Sequence, residues 1–252
     1  MNLKLEGKNV LVVGASKGIG RSIVMRFAEE KTSIVGVARS ENLLQEAGKE
    51  ALEKGALSFD YEVNDIMEID VKAFALELLS KYGLFDVIIH NVGGSLVSRN
   101  HLGDAEEWEN ALKFNALASV DMNSVFLPPM IERGSGHIVH ISSISAIMLR
   151  GNPLYASAKA FLNAYVTTVG RQLAPTGVVL CSVMPGAVAF DGSYWDKYVK
   201  EGNPRVQDFL RHHQAVNRFG SPEEIANAVV FMASDCASFM QATNIPVDGA
   251  NM

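Results

Sequence analysis

Val10-Leu-Val-Val runs directly into Gly14-Ala-Ser-Lys-Gly18-Ile-Gly20, and a helical pattern follows over residues 19–30. The apolar run is typical of a buried strand, and the glycines allow a tight turn into the helix. Such a loop lets the backbone approach a phosphate, which the positive N-terminus of the helix attracts. The spacing is G-x3-G-x-G rather than G-x-G-x-x-G, and a glycine cluster alone is compatible with a simple turn. Its position between a strand and a helix predicts a nucleotide-binding loop formed by Gly14, Ser16, Lys17, Gly18, Ile19 and Gly20.

Short apolar segments of strand length recur along the chain and alternate with helical patterns. Most are nearly continuous in Val, Ile and Leu, which is typical of parallel strands covered on both faces. Strands are predicted over residues 9–13, 33–37, 87–91, 137–141, 178–183 and 244–247. Helices are predicted over residues 19–30, 66–81, 106–122, 155–174 and 222–233. The alternation indicates βαβ units and one doubly wound α/β sheet, with ligands bound at the C-terminal edge of its strands.

The composition excludes several classes of protein. Of the 252 residues, 48% are hydrophobic and 20% are charged, which excludes intrinsic disorder. The net charge of −6 argues against a nucleic-acid-binding protein. The N-terminal segment fits neither a signal peptide nor a membrane span, so a cytoplasmic protein is expected. Cys181 and Cys236 have no metal-type spacing, so no metal site is predicted and both thiols are expected to be reduced core residues.

The end of the second predicted strand bears on the choice of nucleotide. Val37-Ala38-Arg39-Ser40 lacks the acidic residue that would bond an adenosine ribose 2′-hydroxyl. Arg39 instead suits a 2′-phosphate, and Lys17 in the glycine loop is placed to reach the same group. The alternative is that both are solvated surface cations. Their position at the expected ligand edge favours NADP(H) over NAD(H).

Further motifs follow the glycine loop in a recognisable order. They are His90-Asn-Val-Gly93, Lys113-Phe-Asn-Ala116, Ile141-Ser-Ser143, Tyr155-Ala-Ser-Ala-Lys159, Met184-Pro-Gly-Ala-Val188 and Val247-Asp-Gly249. Each is weak alone, but together they resemble the short-chain dehydrogenase/reductase family along nearly the whole chain. The chain is most similar to ketoacyl carrier-protein reductases and related ketone and sugar reductases. The resemblance implies one Rossmann domain over residues 1–252, with a mostly parallel, seven-stranded sheet and helices on both faces.

Tyr155 and Lys159 are four residues apart on a predicted helix and therefore share one face. A phenol with an ordinary pKa near 10 exchanges protons poorly at neutral pH. A cation about 4 Å away in a partly shielded site would lower the pKa of the phenol toward the useful range. The alternative is an ordinary helix face with one tyrosine and one lysine. The resemblance implies that Tyr155 transfers a proton and that Lys159 also binds the nicotinamide ribose.

Two more residues complete the predicted catalytic group. Ser143 follows the predicted strand over residues 137–141, and its hydroxyl can donate to a carbonyl oxygen that gains negative charge during hydride transfer. Alignment with the family motif favours Ser143, and Ser142 is the alternative. For Asn115, the resemblance implies a water-mediated link from Lys159 to bulk solvent. Local backbone bonding at a helix bend is the alternative for this residue.

The resemblance also assigns positions to the cofactor and exposes departures from the family. The positions are Glu62 and Val63 beside the adenine, Asn91, Val92 and Gly93 beside the adenosine, and Pro185, Gly186 and Val188 near the nicotinamide. His90 replaces a usual asparagine and is expected to be structural. Phe190 stands where a threonine usually bonds the nicotinamide carboxamide, so nicotinamide affinity or loop closure is expected to differ.

Residues 190–216 resemble the substrate lid of the family, a segment that excludes water and orders on binding. The lid contains Tyr194, Trp195, Tyr198 and Phe209 among balanced charges, so its net charge identifies no substrate. Arg99, His101 and Arg150 are candidates for meeting an anionic group near the pocket mouth, with solvated loop residues as the alternative. The resemblance also implies a homotetramer or, less often, a homodimer.

These observations predict an NADP(H)-dependent oxidoreductase that interconverts a small-molecule ketone and a secondary alcohol, with Tyr155 as proton donor or acceptor. One alternative is a sugar epimerase or dehydratase-type relative, against which the short chain and the glycine spacing argue. The other is a catalytically silent nucleotide-binding regulator, which Phe190 keeps open.

Overall fold

Seven parallel strands form one sheet in the order β3-β2-β1-β4-β5-β6-β7. The structure is a computed structural model and describes residues 1–95 and 102–251. The strands are β1 (Asn9–Val13), β2 (Ser33–Ala38), β3 (Ser58–Val63), β4 (Val87–His90), β5 (Gly136–Ile141), β6 (Val178–Pro185) and β7 (Asn244–Val247). The predicted single Rossmann-like domain, with a seven-stranded sheet and helices on both faces, is confirmed.

Ten α-helices are present in the described part of the chain. They are α1 (Gly18–Glu29), α2 (Glu41–Glu53), α3 (Val71–Tyr82), α4 (Ala105–Leu112), α5 (Ala118–Arg133), α6 (Ser145–Met148), α7 (Pro153–Leu173), α8 (Asp196–Lys200), α9 (Pro204–His213) and α10 (Pro222–Met232). A π-helical turn, Lys113–Leu117, joins α4 to α5.

The core consists of two apolar layers, one on each face of the sheet. Along β1, Val10 and Val12 pack with residues of α1, α2 and α10. Leu11 and Val13 point to the other face and pack with residues of α3, α5 and α7. Because successive side chains of a strand alternate between faces, a strand covered on both sides must be apolar throughout. This requirement explains the continuous apolar run that precedes Gly14.

All six predicted strands are present, with ends displaced by at most two residues. The seventh strand, β3, was not among them. It lies at the edge of the sheet, and its sequence alternates polar and apolar residues, from Ser58 through Asp60 to Glu62. An edge strand with exposed positions carries no continuous apolar run, so the pattern that predicted the buried strands does not apply to it.

Two predicted helices differ from the structure. The helix predicted from residue 66 begins at Val71, because the Asp70 carboxylate caps it by accepting bonds of 3.0 Å from the Lys72 and Ala73 amides. The helix predicted over residues 106–122 contains the π-helical turn and then continues to Arg133. Its last part contains Pro128 and Pro129. Because proline usually ends a helix, the sequence did not indicate that the helix continues past these residues.

The expectation for the two cysteines is half right. Cys181 is a buried free thiol in β6, as expected. Cys236 is exposed, which corrects the expectation that it belongs to the core. It lies in a short turn after α10, and its thiol donates to the carbonyl oxygen of Asn2 at 3.4 Å. Within residues 1–95 and 102–251, no helix is long and apolar enough to cross a membrane.

Candidate active site

The strand order reverses beside β1, which has β2 on one side and β4 on the other. A crevice at such a point is where open α/β sheets bind ligands. The loop after β1 is held against its neighbours: the Gly14 amide donates to Val37 O at 2.7 Å, and Asn91 Nδ2 donates to Gly14 O at 2.9 Å. A β-carbon on Gly20 would overlap that same Gly14 oxygen. The sequence-predicted residues Gly14, Gly20 and Asn91 therefore pack as one tight loop.

The first turn of α1 has properties that suit a diphosphate. The helix begins at Gly18, its N-cap residue Lys17 makes no side-chain capping bond, and its first turn contains no acidic residue. The amides of Gly18, Ile19 and Gly20 are therefore donors without a side-chain cap at the positive end of the helix. Residue 18 has a φ of +54°, in the left-handed region that favours glycine. These residues fit the anionic part of a dinucleotide.

Arg39, directly after β2, is the residue predicted to bind the 2′-phosphate of NADP(H). The Arg39 side chain is 72% exposed, and its guanidinium lies 3.3 Å from the Asp65 carboxylate. The other oxygen of that carboxylate accepts from the Met67 amide at 3.0 Å, which fixes its position. The Arg39 guanidinium is bonded to Asp65 but remains largely exposed to solvent. It is therefore accessible to a phosphate group at this edge of the sheet.

The Glu62 side chain is not turned toward the expected adenine site. Its carboxylate accepts from Lys81 Nζ at 2.7 Å and from the Tyr82 hydroxyl at 2.8 Å, both at the end of α3. The bond to Glu62 raises the pKa of Lys81, while burial raises the pKa of Tyr82. Of these two residues, only the main chain of Glu62 and the exposed side chain of Val63 remain for the predicted contact with the adenine.

Gly93, Asn115 and Lys159 come together beside β4. A β-carbon on Gly93 would lie 2.8 Å from Lys159 Nζ and 2.9 Å from Asn115 Oδ1, so any other residue at 93 would push both groups away. The neighbouring Val92 lies in the partly buried layer under α5. Three residues from separate sequence motifs thus meet in one place.

Asn115 lies in the π-helical turn and is fully bonded to main-chain groups. Its Nδ2 donates to Ala111 O at 3.0 Å and to Gly94 O at 3.1 Å, and its Oδ1 accepts from the Gly94 amide at 2.8 Å. These bonds match the alternative interpretation of this residue as a backbone-bonding group at a helix bend. They also join the helix to the loop after β4, in a type of turn that is frequent at functional sites.

The two candidate serines have different partners. The Ser142 hydroxyl donates to Asn163 Oδ1 at 2.6 Å. The Ser143 hydroxyl accepts from the Ser145 amide at 3.1 Å, and Ser143 lowers the pKa of the Tyr155 phenol. Tyr155 is half-buried in the first turn of α7, which Asn152 caps through the Leu154 and Tyr155 amides. Ser142 is therefore occupied by Asn163, whereas Ser143 acts on the pKa of Tyr155.

The electrostatics of Tyr155 and Lys159 differ from the expectation drawn from their spacing. Burial raises the pKa of the Tyr155 phenol, and the bond with Ser143 lowers it only in part. Lys159 Nζ lies 5.9 Å from the centre of the phenol ring and donates to Ile141 O at 2.8 Å. Burial lowers the pKa of Lys159 to about 7. Desolvation of both groups therefore exceeds the attraction that would have lowered the phenol pKa.

The loop after β6 brings Phe190 onto the glycine loop. Gly186 lies so close to Asp248 that a β-carbon would be 2.6 Å from its Cα, and the Gly186 amide donates to Val247 O at 3.1 Å. Pro185 ends β6, and Val188 pairs with Gly220 in a short parallel bridge. The Phe190 ring then lies directly against Gly18.

A buried polar network beneath the site was not predicted beyond the structural role expected for His90. His90 Nε2 bonds Asn123 Oδ1 at 2.9 Å, and Asn123 Nδ2 lies 3.1 Å from both His140 Nε2 and the Tyr165 hydroxyl. The two imidazoles stack with centroids 4.7 Å apart. The signal in the sequence was histidine within two apolar strands, but only the register of β4 with β5 makes His90 and His140 neighbours.

The predicted lid contains α8 and α9, which form an aromatic cup with a volume of about 220 Å³. The residues lining it are Tyr194, Trp195, Tyr198, Arg205, Asp208, Phe209, His212 and His213. The His213 ring bonds Arg150 at 3.2 Å, just before the start of the helix that carries Tyr155. Arg99 and His101 lie outside the described residues. Within the described ranges, no three His, Cys, Asp or Glu side chains converge as a metal site.

Comparison with known proteins decides the family. A sequence profile described as "Enoyl-(Acyl carrier protein) reductase" matches residues 14–250. The chain belongs to the short-chain dehydrogenase/reductase family. The family match spans all the motifs described above, from the glycine loop to Gly249, and makes the protein one of a family of oxidoreductases.

Individual members of the short-chain family resemble this chain closely in fold. The 3-oxoacyl-[acyl-carrier-protein] reductase FabG of Staphylococcus epidermidis is 30% identical over 249 residues, covering 96% of this chain and 98% of that protein. L-Sorbose reductase of Gluconobacter frateurii, solved with NADPH and L-sorbose, is 28% identical, has a TM-score of 0.91 and covers 99% and 98% of the two chains. A 7α-hydroxysteroid dehydrogenase solved with NADH is 26% identical, with a TM-score of 0.88 and coverage of 100% and 96%.

Proposed function

We propose that this protein is an NADP(H)-dependent oxidoreductase that interconverts a ketone and a secondary alcohol. The observation that carries the proposal is the convergence of Lys159, one turn after Tyr155 in α7, and Asn115 on Gly93, two residues after Asn91, which bonds the glycine loop at Gly14. At such a site, a serine hydroxyl and a phenol hydroxyl that face the same space can both contact a single substrate oxygen.

In this proposal the nicotinamide, when bound, supplies or accepts the hydride at the carbonyl carbon. Ser143 donates to the substrate oxygen and stabilises the negative charge that grows there. Tyr155 gives its phenolic proton to the same oxygen during reduction and takes it back during oxidation. Lys159, one turn after Tyr155 in the same helix, restores the proton of the phenol, and it favours the deprotonated phenol when it carries its own proton. The Asn115 side chain is already bonded to main-chain groups, so its proposed role in the water-mediated link from Lys159 to solvent is to fix the loop at Gly94.

The preference for NADP(H) over NAD(H) rests on this chain's own residues, since relatives have been solved with both NADPH and NADH. Arg39 presents an exposed guanidinium at the end of β2, where an acidic residue would select a free 2′-hydroxyl. Lys17, the N-cap residue of α1 in the glycine loop, is proposed to contact the same phosphate. Arg39→Ala combined with Lys17→Ala is expected to weaken NADPH about 10- to 100-fold, the range for losing charged hydrogen bonds, while leaving NADH nearly unchanged. Equal losses for both nucleotides would show that these cations do not select the cofactor.

For the substrate, we propose that residues 190–216 form the lid and that the aromatic cup receives the part of the substrate that does not react. The cup combines flat apolar rings with Arg205, Asp208 and His212, so it suits a group with both apolar faces and hydrogen-bonding atoms. Its link to the Tyr155 helix through His213 and Arg150 supports this placement.

The test is oxidation of NADPH with a ketoacyl thioester, a keto sugar and a cyclic ketone, the substrate types suggested by the relatives. At least one is expected to be reduced, and Tyr155→Phe is expected to lower kcat by about 10²- to 10⁴-fold. Near-normal turnover by that variant would overturn the role of Tyr155. Nucleotide binding without turnover on any ketone would favour the silent regulator, and epimerised sugar would favour the epimerase.

The cytoplasmic location and the assembly into a homotetramer or homodimer stay predictions. Sedimentation analysis would measure the oligomeric state.

A further inference from the structure

We propose that the Phe190 side chain competes with the dinucleotide for the surface over Gly18 and so sets the affinity for the cofactor. The inference rests on the proposed function, because it requires that the diphosphate of NADP(H) bind at the start of α1. It concerns a residue at which this chain departs from the family pattern, and it follows from the contacts of that residue.

The ring and the glycine loop are in direct contact. A β-carbon on Gly18 would lie 2.5 Å from Cζ and 2.8 Å from Cδ2 of Phe190, and closer still to Cε2. The ring is therefore packed against Gly18, the first residue of α1, which has no side chain. Two residues further on, a β-carbon on Gly192 would lie 3.7 Å from Lys17 Nζ. The first residues of the lid segment 190–216 thus cover the phosphate-binding end of the helix.

The surface beneath the ring is polar. The first amides of α1 have no side-chain cap, and the N-terminal residue Lys17 offers no acceptor to them. Uncapped amides gain more from water or an anion than from an aromatic ring, since an aromatic side chain offers them at most a weak bond. A phosphate group and the ring cannot both occupy the space over Gly18. Binding of a diphosphate there requires the ring to leave.

The main chain at Phe190 is held on both sides, so the ring moves by side-chain rotation. The Phe190 amide donates to Ser193 Oγ at 3.1 Å, and the Ser193 amide donates to Phe190 O at 2.8 Å. On the other side, the Ala189 amide donates to Gly220 O at 3.2 Å. The ring itself is partly buried against the apolar layer under α1 and α10. Leaving this layer costs apolar contact, which is subtracted from the binding free energy of the cofactor.

The proposal predicts an order of affinities for side chains of decreasing size at residue 190. Phe190→Leu and Phe190→Ala are expected to bind NADPH progressively more tightly, with the dissociation constant of Phe190→Ala about ten-fold below that of the parent. Binding is measured by calorimetry or by quenching of tryptophan fluorescence, without any turnover. A residue that instead holds the bound nicotinamide would give the reverse order.

Two controls isolate the contact with Gly18. Adenosine 2′-phosphate has no diphosphate and does not reach Gly18, so its affinity is expected to be the same for the parent and Phe190→Ala. Phe219→Ala removes another aromatic ring of this region, which packs on Trp195 and Phe209, and is expected to leave NADPH affinity unchanged. Thermal unfolding checks that each variant is folded. If Phe190→Ala does not fold, Phe190→Leu is compared with the parent instead.

Each outcome decides the proposal. Tighter NADPH binding with unchanged adenosine 2′-phosphate binding supports it. Weaker or unchanged NADPH binding in a folded variant overturns it while leaving the proposed cofactor intact, as does equal tightening of both ligands. If neither the parent nor Phe190→Ala binds NADPH, the proposed cofactor is wrong and this inference fails with it.

Discussion

Lys159 Nζ donates a hydrogen bond of 2.8 Å to the main-chain oxygen of Ile141. Ile141 is the last residue of β5, two residues before Ser143, and Lys159 lies one turn after Tyr155 in α7. The bond therefore ties the helix that carries the phenol to the strand that carries the serine hydroxyl. Because Lys159 is buried, this bond lies in an environment where it is strong and where an uncompensated charge is costly.

The first prediction concerns the effect of pH on stability through Lys159. Burial lowers its pKa to about 7 in the folded protein from 10.5. Between these values the unfolded chain carries the proton and the folded chain does not, so stability rises with pH over this window. Lys159→Met removes the titration. The free energy of unfolding of the variant minus that of the parent is expected to grow as pH falls from about 10 to about 7, approaching about 4 kcal/mol, and then to level off.

Denaturant unfolding of both proteins at a series of pH values measures this difference. Lys72→Met, on the exposed part of α3, corrects for the loss of one positive charge from the chain. A difference between Lys159→Met and the parent that stays constant over the whole window would show that Lys159 remains charged when buried.

The second prediction separates the two serines. Ser143→Ala is expected to lower kcat by about 10²- to 10³-fold, the range for losing one donor to a developing oxyanion. Ser142→Ala leaves Asn163 Oδ1 without its bond of 2.6 Å and is expected to cost about 1–2 kcal/mol of stability with turnover nearly retained. Steady-state kinetics and denaturant unfolding of each variant give the comparison. Loss of turnover in Ser142→Ala alone would exchange the two assignments.

The third prediction concerns the packing of the glycine loop. A β-carbon at residue 20 would overlap the Gly14 oxygen and lie 2.5 Å from Asn91 Nδ2. Gly20→Ala is therefore expected to cost about 3 kcal/mol of stability and to weaken NADPH binding at least about 100-fold. Gly220→Ala is the matched control, because its β-carbon would meet only ordinary contacts of 3.6–3.8 Å. NADPH binding by Gly20→Ala at parental affinity would mean that the loop is more adaptable than its contacts indicate.

The fourth prediction concerns acid stability through the stacked imidazoles. Burial lowers the pKa of His90 to about 4, and burial together with the charges of His90 and Lys159 lowers the pKa of His140. The unfolded chain binds protons at these residues below about 6.5 while folded His90 stays neutral, so stability falls as pH drops from about 6.5 toward 4. His90→Asn is expected to make this fall shallower by about 1.4 kcal/mol per pH unit.

Urea unfolding between about pH 4 and 8 gives the slopes. The exposed His212→Asn is the control for removing an imidazole outside the core. Identical slopes for His90→Asn and the parent would contradict the assignment of His90 as a buried neutral group.

The sequence predicted the buried strands of the sheet but not its edge strand or the π-helical turn. The buried strands were predicted because coverage on both faces forces an unbroken apolar run, as in β1. The edge strand β3 escaped prediction because no such requirement acts on Glu62, which bonds Lys81 across to α3. Between α4 and α5, the sequence offered a helix bend at Asn115 only as an alternative, since the bonds of Asn115 to Gly94 join residues far apart in the chain.

The sequence by itself determined the buried strands and the helices between them, the position of the glycine loop and the set of side chains proposed to carry the chemistry. These follow from periodicity, backbone freedom and residue type, all of which are local properties of the chain. Only the tertiary structure decided that Ser142 is bonded to Asn163, that Lys159 is bonded to Ile141, and that Phe190 covers Gly18. Those relationships depend on contacts between residues far apart in the chain and on desolvation, which no local pattern specifies.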